Sequence, residues 1–134
     1  MGLFSGRRPT DLGVRDGRLK PMPDTPNAVG SQTQSPTHAI APLAYRTTRE
    51  AAMAALARIV AAMSGVTIIV QEADYLYAEF ESAWMGFIDD VEFHLPAGER
   101  VVHVRSASRL GSSDLGVNRR RVEAIRARLA AAGV

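Results

Sequence analysis

Apolar residues recur along this chain with two rhythms. From Thr47 the stretch TTREAAMAALARIVAAMSG repeats them every three to four residues, which puts Ala52, Leu56, Ile59, Val60 and Met63 on one side of a helix. Thr47 and Glu50 have the spacing of a capping box, and Gly65 suits the left-handed residue after a helix, so the pattern predicts a helix over 48–64. Four alternating runs follow, 66–71, 75–83, 88–95 and 100–108, each with strand character. The tail SSDLGVNRRRVEAIRARLAAAG returns to the helical repeat over 115–132. Ser113 or Asp114 opens it, and Leu115, Val122, Ile125, Leu129 and also Asn118 form its inner stripe. Residues 1–37 have neither rhythm.

The four runs are joined by short connections, and their register can be tested by alternation, because a slip of one residue sends the apolar set to the wrong face. Tight loops at 72–74, 84–87 and 96–99 set Val70 opposite Leu76, Phe80 opposite Val91 and Val91 opposite Val104. All three then point one apolar face inward, which predicts an antiparallel meander. The expected fold class is α+β: an irregular N-terminal arm, a helix, a four-stranded meander sheet and a C-terminal helix, with both helices on one face. The stretch from Pro21 to Pro36 is dominated by Pro, Thr, Ser, Gln and Asn, so regular structure is not expected there, and the chain divides into an arm over 1–37 and an α+β domain over 38–134. Leu3, Phe4, Leu12, Val14 and Leu19 offer the arm modest anchoring surface, while Pro42 limits 38–45 to an edge or a turn.

Composition narrows the chemistry. With 134 residues, 46% of them apolar, and no cysteine, the chain is neither a disulfide scaffold nor a carrier of a thiol nucleophile or Cys-ligated metal. No apolar run approaches the roughly 18–20 residues of a membrane span, and the opening MGLFSGRRPTDLGVRDGRLK lacks the apolar stretch of a secretion signal. The expected localisation is cytoplasmic. The net charge of +2 is uneven, with +3 over 1–50, −6 over 51–104 and +5 over 105–134. Arg119, Arg120, Arg121, Arg126 and Arg128 spread around the last helix rather than forming one strip, which disfavours nucleic acid as a partner.

The acidic excess falls on the outer sheet face. The expected register places Glu79 beside Glu92 and Glu81 beside Asp90, and like charges opposite one another destabilise a sheet. Arg105 then falls opposite Asp90 and His103 opposite Glu92. Three accounts of this face compete. It is a solvated, self-paired surface, or it is covered by the basic arm (Arg7, Arg8, Arg15, Arg18, Lys20) or by a partner's basic surface, or Asp90, Glu92, His94 and His103 make a metal or acid–base site. A metal is not favoured, with Glu92, His94 and His103 as its candidate ligands, and no cofactor is expected. A second constellation runs from Arg105 to Arg121. The amides around Leu115 and Gly116 lie where a helix begins and attract an anion, with Arg109 as a clamp, although capping by Ser113 or Asp114 competes for the same amides. Asn118, on the inner stripe, must find hydrogen-bond partners. No phosphate loop, nucleophile elbow or zinc-protease helix occurs, and Ser82, Ser106 and Ser108 have no evident base.

The segments RPTDLGVRDGRLKPMPDTPNAVGSQ, FIDDVEFHL and VRSASRLGSSDLGVNRRRVEAIR together resemble the domain of unknown function (DUF) 1499 family, known from bacteria and plastid-bearing organisms. The resemblance spans nearly the whole chain and implies no established activity and no catalytic residues. Similar proteins often read Cys-Pro and Asn-Cys where this chain has Met22-Pro23 and Asn27-Ala28, so any role of those cysteines is absent here. The leading expectation is a non-enzymatic binding or interaction module for a small anion or a protein partner. Its arm packs on the sheet, and Asp89, Asp90, Glu92, Arg105, Ser106, Arg109, Asp114, Asn118 and Arg119 form one polar network. The rival is a small-ligand or metal-dependent enzyme that uses the acidic and histidine-bearing face.

Overall fold

The computed structural model describes residues 5–134. Leu3 and Phe4, two of the expected anchors, lie outside the described residues. Two helices, α1 (Arg49–Ala61) and α2 (Val117–Ala131), accompany the strands β1 (Ala28–Gly30), β2 (Leu43–Ala44), β3 (Val66–Gln71), β4 (Tyr75–Glu81), β5 (Ile88–His94) and β6 (Val101–Ser108). The sheet runs β1-β6-β5-β4-β3, with β2 also on the outer edge of β6, and its paired strands are antiparallel. The architecture is α+β with six strands, not four. β1 and β2 hold three and two residues, too short for alternation to reveal, and β1 interrupts the Pro-rich stretch that was expected to stay irregular.

The inner face collects Leu76, Ala78, Phe80, Val91, Phe93, Val102 and Val104, and both helices cover it with Ala52, Leu56 and Val60 from α1 and Val122, Ile125 and Leu129 from α2. The alternation therefore read the faces correctly, but it misjudged the loops. Ala78 pairs with Val91 rather than Phe93, and Phe93 with Val104 rather than Val102. Both connections are six residues long, and each slips the register by two, which preserves the face of every side chain while changing its cross-strand partner. In β3 the register shifts between Ile68 and Val70. Val70 then sits opposite Tyr77 instead of Leu76 and joins Ile69 on the outer side, the mark of a β-bulge.

The helix ends have local causes. Thr48, not Thr47, is the N-cap of α1: its backbone is extended (ψ 159°) and its hydroxyl accepts the Ala51 amide at 3.1 Å. Gly65 has φ +75°, and a Cβ built there would lie 2.1 Å from the Glu81 carbonyl oxygen, so only glycine lets the chain enter β3 this close to the end of β4.

The outer face is covered as well. Every residue of β5 is buried, which requires a layer on each side of the sheet. That second layer is the arm, whose Leu12, Val14 and Leu19 pack with Tyr75, Tyr77, Ile69 and Val70 in a separate apolar cluster.

Candidate functional site

Because Asp89 and Asp90 are neighbours in β5, they point to opposite faces, and the expected single network is two networks. The inner one closes the gap between the sheet and the start of α2. Asn118, fully buried, is its hub. Its Oδ1 accepts from the Ser106 hydroxyl (2.7 Å) and from Arg121 Nη1 (2.8 Å), and its Nδ2 donates to Asp114 Oδ2, Ser108 Oγ and the Asn27 carbonyl. Arg121 also pairs with Asp89 at 2.6 Å and lies 4.7 Å above the Phe80 ring. Asp114 accepts the amides of Gly116 and Asn118 at 2.8 and 3.0 Å, which occupies the helix start where an anion was weighed. Burial is the largest single effect and pushes the Asp114 carboxyl up, but these donors together outweigh it and hold the carboxyl below its usual range. Arg119 belongs to neither network: it donates to the carbonyls of Ala39 and Thr37 and fixes that segment to α2.

The outer network lies between the sheet and the arm. Glu79 and Asp90 face one another across β4 and β5, a like-charge pair of the kind expected, though with different members. Arg109 resolves it. Its Nε and Nη2 donate to the two Asp90 oxygens at 3.1 and 2.6 Å, and Nη2 also reaches Glu79 at 2.9 Å. Arg8 of the arm adds a 2.6 Å pair to Glu79, and Tyr77 donates to Asp90 at 2.6 Å. The Arg8 and Arg109 donors outweigh burial and keep the Glu79 carboxyl below its usual range. Arg109 thus serves the face opposite to the helix start for which it was considered as a clamp.

Glu92 is fully buried one pair further along. Its Oε2 accepts from Tyr75 (2.6 Å) and from the Gly13 amide (2.7 Å), while its Oε1 has no partner among the described residues. Burial pushes this carboxyl up, more than the two donors and the nearby Arg105 pull it down. Arg105 lies opposite Glu92, not Asp90. Among the described residues it makes no ion pair, and its Nε and Nη2 donate to the carbonyls of Lys20 and Pro21 at 3.0 and 3.1 Å. Arg105 is 5% exposed, a nearly buried cation whose pKa burial lowers.

Arg105 and Arg109 line a groove of about 1050 Å³ between the arm and the sheet, shared with Arg7, Asp11, Arg15, Asp16, Arg18 and Lys20. Lys20 pairs with Asp11 and Arg109 with Asp90, which leaves Arg7, Arg15, Arg18 and Arg105 facing one other carboxylate, Asp16. The histidines stand apart from this arrangement. His94 and His103 oppose one another, not Glu92; His94 Nδ1 lies 3.2 Å from the Asp74 carbonyl and His103 Nδ1 lies 3.0 Å from the Ser31 hydroxyl. Among the described residues no group of three His, Asp or Glu side chains is arranged to hold a metal ion, and no helix is long and apolar enough to cross a membrane.

Sequence reasoning passed over Gly13, Asn27, Tyr75 and Tyr77 as site residues, since their roles depend on where the arm lies. Arg121 carried a signal, standing one helical turn from Asn118 on the same stripe. A family model described as "Protein of unknown function (DUF1499)" matches residues 18–129. No curated protein matches the chain.

Proposed function

Starting from a chain that belongs to the DUF1499 family, we propose that it is a binding module that holds a small anion, a phosphate or a carboxylate, in the groove between arm and sheet. The observation that carries this reading is Arg105. A buried guanidinium costs desolvation that a protein normally offsets with a carboxylate. Here the carboxylate across the strand is turned to Tyr75 and Gly13, and Nη1 of Arg105 has no protein acceptor among the described residues. An anion in the groove would supply the missing charge, with a forked donor geometry suited to phosphate or carboxylate oxygens. Arg7, Arg15 and Arg18 add a positive field that concentrates anions at the entrance.

The reading is tested by titrating the protein with inorganic phosphate and with citrate in a calorimeter. Saturable binding that weakens with salt is expected. Arg7→Ser and Arg15→Ser remove exposed groove charges that have no side-chain partner among the described residues, so each should lower affinity up to about fivefold with the melting temperature unchanged. Arg105→Met should abolish binding. Heats indistinguishable from dilution for both anions, or undiminished affinity in Arg105→Met, would overturn the proposal.

A further inference from the structure

The end of the sheet where β4 and β6 finish leaves large apolar side chains exposed, Trp84 among them although its ring lies 6.5 Å from that of Phe87. Trp84 is 73% exposed and Met85 42%, in the connection from β4 to β5; Leu110 is 41% exposed and Leu115 85%, in the connection from β6 to α2. The two connections lie at one end. The Arg109 amide donates to the Ile88 carbonyl, and Ser5 and Gly6 bridge Gly86 to Leu110.

Backbone conformation sets two of these residues apart. Met85 (φ +63°) and Leu115 (φ +53°) are in the left-handed region, and each is followed by a glycine there too, Gly86 at +69° and Gly116 at +81°. Bulky residues avoid that region. In both loops the same two-residue turn holds a large apolar side chain at its corner, and neither loop buries it. Strain kept at an exposed apolar residue is a feature to be explained by use rather than by folding.

We propose that this end of the molecule docks on an anionic phospholipid surface. Exposed Arg7 and Arg120 flank the apolar tips, Arg120 hydrogen-bonded to the Leu115 carbonyl, while Arg8 is paired with Glu79 and Glu81 is an exposed acid beside them. The charge therefore complements a negative headgroup layer. Shape favours lipid over a folded partner. The apolar residues stand on separate convex turns, and a protein would need a matched pocket for each, whereas the interfacial zone of a bilayer yields around separate protrusions. Tryptophan is suited to that zone, where its ring is half apolar and half wet. The proposal shares Arg7 with the anion groove but does not draw on Arg105.

Trp84 is the single tryptophan of the chain and reports on the tip directly. Its emission and co-sedimentation should be followed with vesicles of phosphatidylcholine alone and of phosphatidylcholine mixed with phosphatidylglycerol. A blue shift and sedimentation are expected with the mixed vesicles, both reversed by high salt. Leu115→Ser and Trp84→Ser should each lower partitioning roughly tenfold with an unchanged melting temperature, while Arg105→Met should sediment as the wild type does. Failure to bind mixed vesicles, or binding that the two serine variants leave intact, overturns the proposal. So does self-association of the wild type that those variants abolish, which would give the surface to a second copy of the chain.

Discussion

Arg109→Met separates the ion-pair arithmetic of a surface from that of an interior. Methionine keeps much of the aliphatic stem and removes the guanidinium. Were Arg109 exposed, the loss would be about 0–1 kcal/mol. Its side chain is instead 6% exposed, that of Asp90 3% and that of Glu79 12%. Two carboxylates facing one another across β4 and β5 would lose the donor they share, leaving Asp90 with the Tyr77 hydroxyl and Glu79 with Arg8 and a longer Tyr77 contact. The relevant magnitude is that of an orphaned buried charge, about 3–5 kcal/mol. Urea unfolding of both proteins near neutral pH measures it. Asp90→Asn in the Arg109→Met background should recover most of the loss, since an amide can still accept from Tyr77 without bringing charge. The sign with pH follows from Glu79, whose folded pKa is depressed. Its stabilising contribution is present above the unfolded value and fades as pH falls through the folded one, so the penalty for losing Arg109 should shrink on acidification. A loss below about 1 kcal/mol, or no recovery in the double variant, would refute the reasoning.

Glu92 has the opposite sign. Its folded pKa is raised by burial, so its contribution is fully present below the unfolded value near 4.5 and lost as pH rises through the folded one. The stability of Glu92→Gln relative to wild type should therefore climb between mildly acidic and neutral pH; a pH-independent difference in urea midpoints would contradict this. Gly65→Ala should cost more than about 2 kcal/mol, combining a left-handed alanine with the contact against the Glu81 carbonyl. Gly98→Ala, at φ +81° with nothing within 4 Å of its added carbon, should cost about 1 kcal/mol, and equal melting temperatures for the two variants would count against the steric argument.

What could be read from the sequence was parity. Which side of the sheet Phe80, Val91 and Phe93 face depends only on odd and even positions, and slips of two residues left it intact. Partners depend on loop length. Assigning four residues where the chain spends six paired Arg105 with Asp90 instead of Glu92, and His103 with Glu92 instead of His94. Nothing local in the sequence fixes that length, because Leu95 extends the alternation of β5 beyond its last ladder pair and Ser82-Ala83 gives no stop signal after β4. Parity also held an unused signal for the site. Arg109 continues the outward series of His103 and Arg105, which points it at Asp90, and the adjacent Asp89 and Asp90 had to diverge. That the basic arm covers the acidic face was legible from charge, but its individual contacts were not, since they join residues far apart in sequence, such as Gly13 with Glu92 and Arg8 with Glu79.

The divergence of Asp89 and Asp90 also limits how the length of this protein can change. Asp89 is tied to α2 through Arg121, and Asp90 to the arm side through Arg109. Inserting or deleting one residue upstream in β5 would exchange their directions, presenting each carboxylate to the layer built for the other. A two-residue change restores both. Length variants of β5 that still fold should therefore differ by even steps, a rule that sequences of natural variants or a random insertion library can reveal without any assay of function.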